Sequence, residues 1–189
     1  MARNRGYKYC ELAIDAETTP KYAKKQMRLW MDVCDGKSDK YFVSADKIRQ
    51  MESILKLLVM PKGLKAGQTL YECTTGYQWL LYTAVLCTVY RDNPDKRRYE
   101  IGLLEIARKN FKTYTVATIF IILMLTEPRF AEFFSVAPDG ALSRQIREAI
   151  SQTLRSSPLV YEYKGNKRFK ILRDCITFRP KSSTYVPLS

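Results

Sequence analysis

The residue types most able to do chemistry sit in one short stretch, Ile106-Ala107-Arg108-Lys109-Asn110-Phe111-Lys112-Thr113. The apolar run Tyr99 to Ile106 leads into it, and the apolar segment Val116 to Leu125 follows it. Strand, loop ending in Lys-Thr, then helix is the order of a phosphate-binding loop. In such a loop, backbone N–H groups at a helix N-terminus surround the phosphate oxygens, and the helix dipole adds partial positive charge. On that reading Lys112 reaches the β- and γ-phosphates and Thr113 ligands Mg²⁺. The regular pattern is Gly, four residues, Gly, Lys and then Ser or Thr. Here both Gly positions are filled otherwise, by Ile106 and Phe111. The competing reading is a basic strand-to-helix connection with no ligand.

Composition removes several other chemistries. The chain of 189 residues has no His, so Ser-His and Cys-His catalysis and His metal ligation are excluded. Five scattered cysteines, Cys10, Cys34, Cys73, Cys87 and Cys175, form no Cys-x-x-Cys pair and read as reduced, mostly buried thiols. The 32 Lys and Arg against 19 Asp and Glu give a net +13, which favours a polyanion: nucleic acid, nucleotide or an acidic membrane surface. A generally basic surface is the plainer alternative. The N-terminus lacks the apolar core of a signal peptide. The longest apolar run, Val116 to Leu125, falls short of the roughly 20 residues that a membrane span needs.

The elements that must position the loop are legible in outline. Residues 1–20 are polar, end at Thr18-Thr19-Pro20 and read as a basic arm with weak structure. Lys21 to Asp35 has the spacing of an amphipathic helix. A second helix starts at Ser44, a good N-cap, and stops at Pro61-Lys62-Gly63. Thr69 to Tyr90 predicts a further helix. Strand Tyr99 to Ile106, helix Lys112 to Leu125, a short buried strand Phe133 to Ala137 and helix Ser143 to Leu154 then make a βαβα run, which implies a parallel sheet. Leu159 to Tyr163 and Phe169 to Phe178 predict a hairpin turning at Lys164-Gly165-Asn166-Lys167-Arg168.

The loop Ala107 to Thr113, with the strand before it and the apolar helix after it, resembles the deviant Walker A segment of large terminase subunits of tailed bacteriophages. Phe134-Ser-Val-Ala-Pro-Asp139 and its helix with Gln145 and Arg147 resemble the next strand and helix of that family, and Tyr77-Gln78-Trp79 resembles its adenine-recognising element. The helical pair at 21–60 and the closing segment from Phe178 resemble its lead-in and the region before Walker B. The resemblance implies an α/β P-loop NTPase fold of the RecA/ASCE type that drives packaging of double-stranded DNA by ATP hydrolysis. It assigns Arg108 to charge stabilisation at the γ-phosphoryl group beside Lys112. Gln78, Lys109, Asn110 and Phe111 become nucleotide contacts with ATP as cofactor, and Thr113 the Mg²⁺ ligand. It implies a portal protein and a small terminase subunit as partners, a homo-oligomeric motor, no membrane, and the cytoplasm of the infected host.

The expected organisation is an arm at 1–20, a helical lead-in at 21–64 and a partial ATPase domain at 65–189. No apolar strand ending in Asp-Glu follows residue 113, and no downstream acidic cluster could bind two metals. The expectation is therefore an amino-terminal part of the ATPase, weakly active or inactive alone. The rivals are a non-catalytic DNA-binding or assembly module and an unrelated P-loop protein such as a helicase fragment.

Overall fold

The computed structural model describes residues 4–107, 109–160 and 166–188. It is a mixed α/β protein whose chain divides into two compact units, residues 1–51 with 74–104, and residues 52–73 with 105–189.

The first unit is built on helices α1 (Arg5–Asp15), α2 (Lys21–Cys34) and α5 (Gly76–Cys87), with a two-stranded antiparallel ribbon of β1 (Tyr41–Val43) and β2 (Thr88–Tyr90). Residues 5–15 are thus not a weakly structured arm. Asn4 caps α1 by accepting from the Tyr7 amide at 2.9 Å, and Gly6, Tyr7, Cys10 and Ala13 are buried. Two glycines make this packing possible. A Cβ at Gly6 would lie 2.3 Å from Thr83 Oγ1, and one at Gly76 would lie 2.1 Å from the Tyr9 ring. The predicted helix over Thr69 to Tyr90 is broken into α4 (Leu70–Cys73), α5 and β2. The helix from Ser44 is α3 (Ala45–Leu57), with the Ser44 hydroxyl accepting from the Lys47 amide at 3.3 Å.

The second unit packs α6 (Lys112–Thr126) and α7 (Gly140–Arg155) on a four-stranded sheet of order β3-β6-β5-β4. These strands are β3 (Glu132–Val136), β4 (Phe169–Ile171), β5 (Ile176–Phe178) and β6 (Ser183–Leu188). Only β3 and β6 are parallel, with α7 in the connection between them; the other two ladders are antiparallel. Tyr185 of β6 anchors the core, fully buried, with the Phe120 ring 4.9 Å away and its hydroxyl 2.5 Å from Ser135 Oγ. Burial raises the Tyr185 pKa.

Two sequence expectations fail here, and a third, the reading of Phe169 to Phe178 as one strand, is corrected. Tyr99 to Ile106 forms no strand: residues 101–107 have no regular structure, and Ile101 and Leu103 are 89% and 88% exposed. Apolar content alone cannot make a strand without a partner edge. The expected buried strand Phe133 to Ala137 exists as β3, but as a sheet edge, with Phe134 and Val136 exposed. A hairpin turns at Leu172 to Cys175, where the Leu172 amide donates to the Cys175 carbonyl at 2.9 Å, so the segment Phe169 to Phe178 read as one strand is two. Of the expected turn, Lys164 and Gly165 fall outside the described residues, as does the first arm from Tyr161 to Tyr163. Among the described residues no helix is long and apolar enough to cross a membrane.

Candidate functional site

The loop reaches α6 through two left-handed residues. Lys109 has φ 68°, and Phe111, the residue before the helix, has φ 55° and ψ 24°. Left-handed backbone is routine for Gly and costs another residue about 1–2 kcal/mol. Phe111 therefore adopts, at that cost, the kind of backbone the Gly of the regular motif is there to permit. Its side chain is 52% exposed. Asn110 Nδ2 donates to the Ala107 carbonyl at 3.3 Å and braces the turn. Arg108 lies outside the described residues.

The first intrahelical bond of α6 is Thr115 N–H to the Phe111 carbonyl at 2.9 Å, so the amides of Lys112, Thr113 and Tyr114 precede it. No side chain caps this end. Orphan amides at a helix start, reached through alternating left-handed residues, make a concavity that favours anions. Lys112 is exposed at the first helical position, and Thr113 is half-buried.

Thr113 and Tyr114 line a cavity of about 290 Å³ with Lys62, Gln145, Glu148, Ala149 and Gln152. Its far wall is a hydrogen-bonded row. Tyr114 Oη donates to Gln152 Oε1 at 2.6 Å, Gln152 Nε2 to Glu148 Oε1 at 3.1 Å, and Arg147 Nη1 to Glu148 Oε2 at 3.3 Å. Arg147 Nη2 also donates to the Leu172 carbonyl, tying α7 to the hairpin. The Lys62 ammonium stands 5.7 Å from the Tyr114 ring centroid. Sequence reasoning missed Lys62, Tyr114, Glu148 and Gln152 as wall residues. The i, i+4 spacing of Glu148 and Gln152 on α7 was the available signal.

Gln78 belongs to the first unit, at the start of α5. It is 8% exposed and forms a capping box with Thr75: the Thr75 amide donates to Gln78 Oε1 at 2.8 Å, and the Thr75 hydroxyl lies 3.0 Å from the same oxygen. Among the described residues no group of three or more His, Cys, Asp and Glu could hold a metal ion.

No protein-family model and no curated protein matches this sequence. Among solved structures, the large terminase of bacteriophage HK97 matches with a TM-score of 0.54 and 20% identity. The match covers 76% of this chain and 27% of that one, so the chain spans about a quarter of the length of the protein it resembles. At this identity the likeness speaks to fold alone, and the fold is like that of part of a phage large terminase subunit.

Proposed function

We propose that this chain is the ATPase part of a viral genome-packaging motor, coupling ATP hydrolysis to movement of double-stranded DNA into a capsid. The observation that carries this reading is the start of α6, where an uncapped helix end follows a left-handed turn at the Lys-Thr of the motif, in a chain with a large-terminase fold. On the same reading the parallel pair β3 and β6 with α7 is this chain's share of a P-loop sheet.

The residues suit a polyphosphate. The amides of Lys112 to Tyr114 would donate to phosphate oxygens, Lys112 would balance their charge, and the cavity of about 290 Å³ lies just under the usual range of ligand sites, roughly 300–1,000 Å³. A Mg²⁺ would rest on Thr113 and the phosphates themselves, since this ion is commonly held by few protein groups plus substrate oxygens. When bound, it would neutralise charge on the phosphate oxygens. Lys109 and Asn110 would shape the loop around the phosphates, with Arg108 as the second cation. An adenine contact by Gln78 competes with its capping of α5. The portal protein, the small subunit, the motor oligomer and the host cytoplasm follow from the same proposal.

One observation favours the non-catalytic alternative: the exposed, irregular stretch 101–107, where a phosphate loop expects its supporting strand. Titration of the chain with a fluorescent ATP analogue and Mg²⁺, beside Lys112→Ala, separates the two. Saturable binding lost in the variant supports the nucleotide site. Equal signal from both proteins, or none from either, would sink it.

A further inference from the structure

The hairpin of β4 and β5 carries charge in a pattern that its own stability does not ask for. Phe169 and Phe178 pair across it, with ring centroids 4.9 Å apart, and both are buried. Alternation then turns residues 168, 170, 177 and 179 to the opposite face of the sheet. Three of these four are cations, Arg168, Lys170 and Arg179, all exposed. Arg168 and Arg179 stand directly opposite each other, one step beyond the phenylalanine pair, with the Arg179 amide donating to the Arg168 carbonyl at 2.9 Å. Like charges in that relation destabilise a sheet. Arg173 in the turn and Lys167 at the entrance extend the cationic line, and Asp174 is the single acid from 166 to 181.

Towards the middle of the sheet the face becomes neutral. The row across from Lys170 continues through Thr177 and Thr184. A cationic ribbon bordered by hydroxyls suits phosphodiesters, which take both charge and neutral hydrogen bonds. Spacing agrees: Arg168 and Lys170 are separated along the strand by about 6.7 Å. Phosphates of one DNA strand advance about 3.4 Å per step along the duplex axis, so about 6.8 Å separates every second one.

We propose that the outward face of the β4–β5 hairpin, through Arg168, Lys170 and Arg179 with Arg173 at its tip, is a sequence-independent contact for the phosphate backbone of duplex nucleic acid. The proposal rests on the packaging reading only in taking that polyanion to be DNA. The offsetting phosphates explain why paired arginines are tolerated on an exposed ribbon.

The test is fluorescence anisotropy of a labelled DNA duplex against salt, without nucleotide, for the full chain and two triple variants. One carries Arg168→Ala, Lys170→Ala and Arg179→Ala. The other carries Lys21→Ala, Lys25→Ala and Arg28→Ala on α2, with the same loss of charge on exposed residues. The hairpin variant is expected to bind at least about tenfold more weakly and to lose about 2.7 from the slope of log K against log salt, at about 0.9 per phosphate contact. The α2 variant should bind like the parent. Because the exposed alanine substitutions leave α6 intact, the hairpin variant should titrate with the ATP analogue as the parent does, so this proposal and the nucleotide site can fail separately. Equal loss in both triple variants would assign binding to diffuse net charge and overturn the proposal. Unchanged duplex binding by the hairpin variant, with lost binding to phosphatidylserine vesicles, would move the surface to a membrane and overturn it too.

Discussion

Two helices of this molecule begin in opposite ways. Both α5 and α6 are apolar, and both follow a short irregular link. At α5 the chain closes its own end: Thr75 and Gln78 form a capping box, and the Tyr9 ring packs against Gly76 at the first helical position. At α6 Phe111 enters in left-handed backbone, no side chain caps the end, and Lys112 and Thr113 stand at the first turn. α7 follows the α5 pattern, with Asp139 accepting from the Leu142 amide at 2.8 Å. At α5 and α7 a side chain satisfies the orphan amides, and α2, which also lacks a side-chain cap, enters from Pro20 in ordinary extended backbone. The end that forgoes a cap and accepts backbone strain is the one to suspect of binding something.

The largest effect should come from filling the closed end. Gly76→Ala puts a Cβ into the Tyr9 ring, and overpacking of this kind costs about 1–3 kcal/mol, read as a lower denaturant midpoint. An unchanged midpoint would mean that Tyr9 does not seal α5. Lys112→Ala should act on binding without touching stability. Loss of a charged partner to phosphate corresponds to about 1.5–3 kcal/mol, tenfold or more in the affinity for an ATP analogue.

Gln78 can be split between its two roles. Gln78→Ala removes the cap and should cost about 1 kcal/mol of stability. Gln78→Glu keeps an acceptor for the Thr75 amide and abolishes an amide donor, so it should leave stability near that of the parent. If its nucleotide affinity is also unchanged, Gln78 serves α5 alone; a selective loss for ATP over inorganic triphosphate would restore the adenine role.

A smaller difference tests the strain at the open end. Phe111→Gly should be more stable than Phe111→Ala by up to about 1 kcal/mol, because Gly escapes the left-handed penalty while paying some chain entropy. The opposite order, by chemical denaturation, would show that the turn is unstrained. Smallest near neutral pH is the effect of the first unit's thiols. Burial pushes Cys10 and Cys34 up from 9.0 to about 12. Their folded pKa values lie above the unfolded one, so the stability they contribute is complete below pH 9 and is lost as pH rises from 9 towards 12. Slow alkylation of both at pH 8, accelerating on unfolding, is the expected readout.

Helices with a clear apolar stripe or a cap were legible in the sequence: α2, α3, α6 and α7 lie where spacing, Ser44 and the Lys-Thr pair put them. α1 was not, because its burial depends on Gly6 meeting Thr83 and Leu80, residues more than seventy positions away. The stretch 99–106 misled for the converse reason, since its apolar residues meet no sheet edge. The turn at Leu172 to Cys175 was not legible because the Phe169–Phe178 pair that sets its register is a tertiary choice. For the candidate site, the sequence singled out Lys112 and Thr113, and only the fold brought Lys62, Glu148 and Gln152 round Thr113.

The most direct test follows backbone amide resonances of the labelled protein while inorganic triphosphate and Mg²⁺ are added. The account predicts saturable shifts at Lys112, Thr113 and Tyr114, with the amides of Tyr77 and Gln78 at the capped start of α5 unmoved. Shifts of equal size at both helix ends, or none at α6, would contradict it.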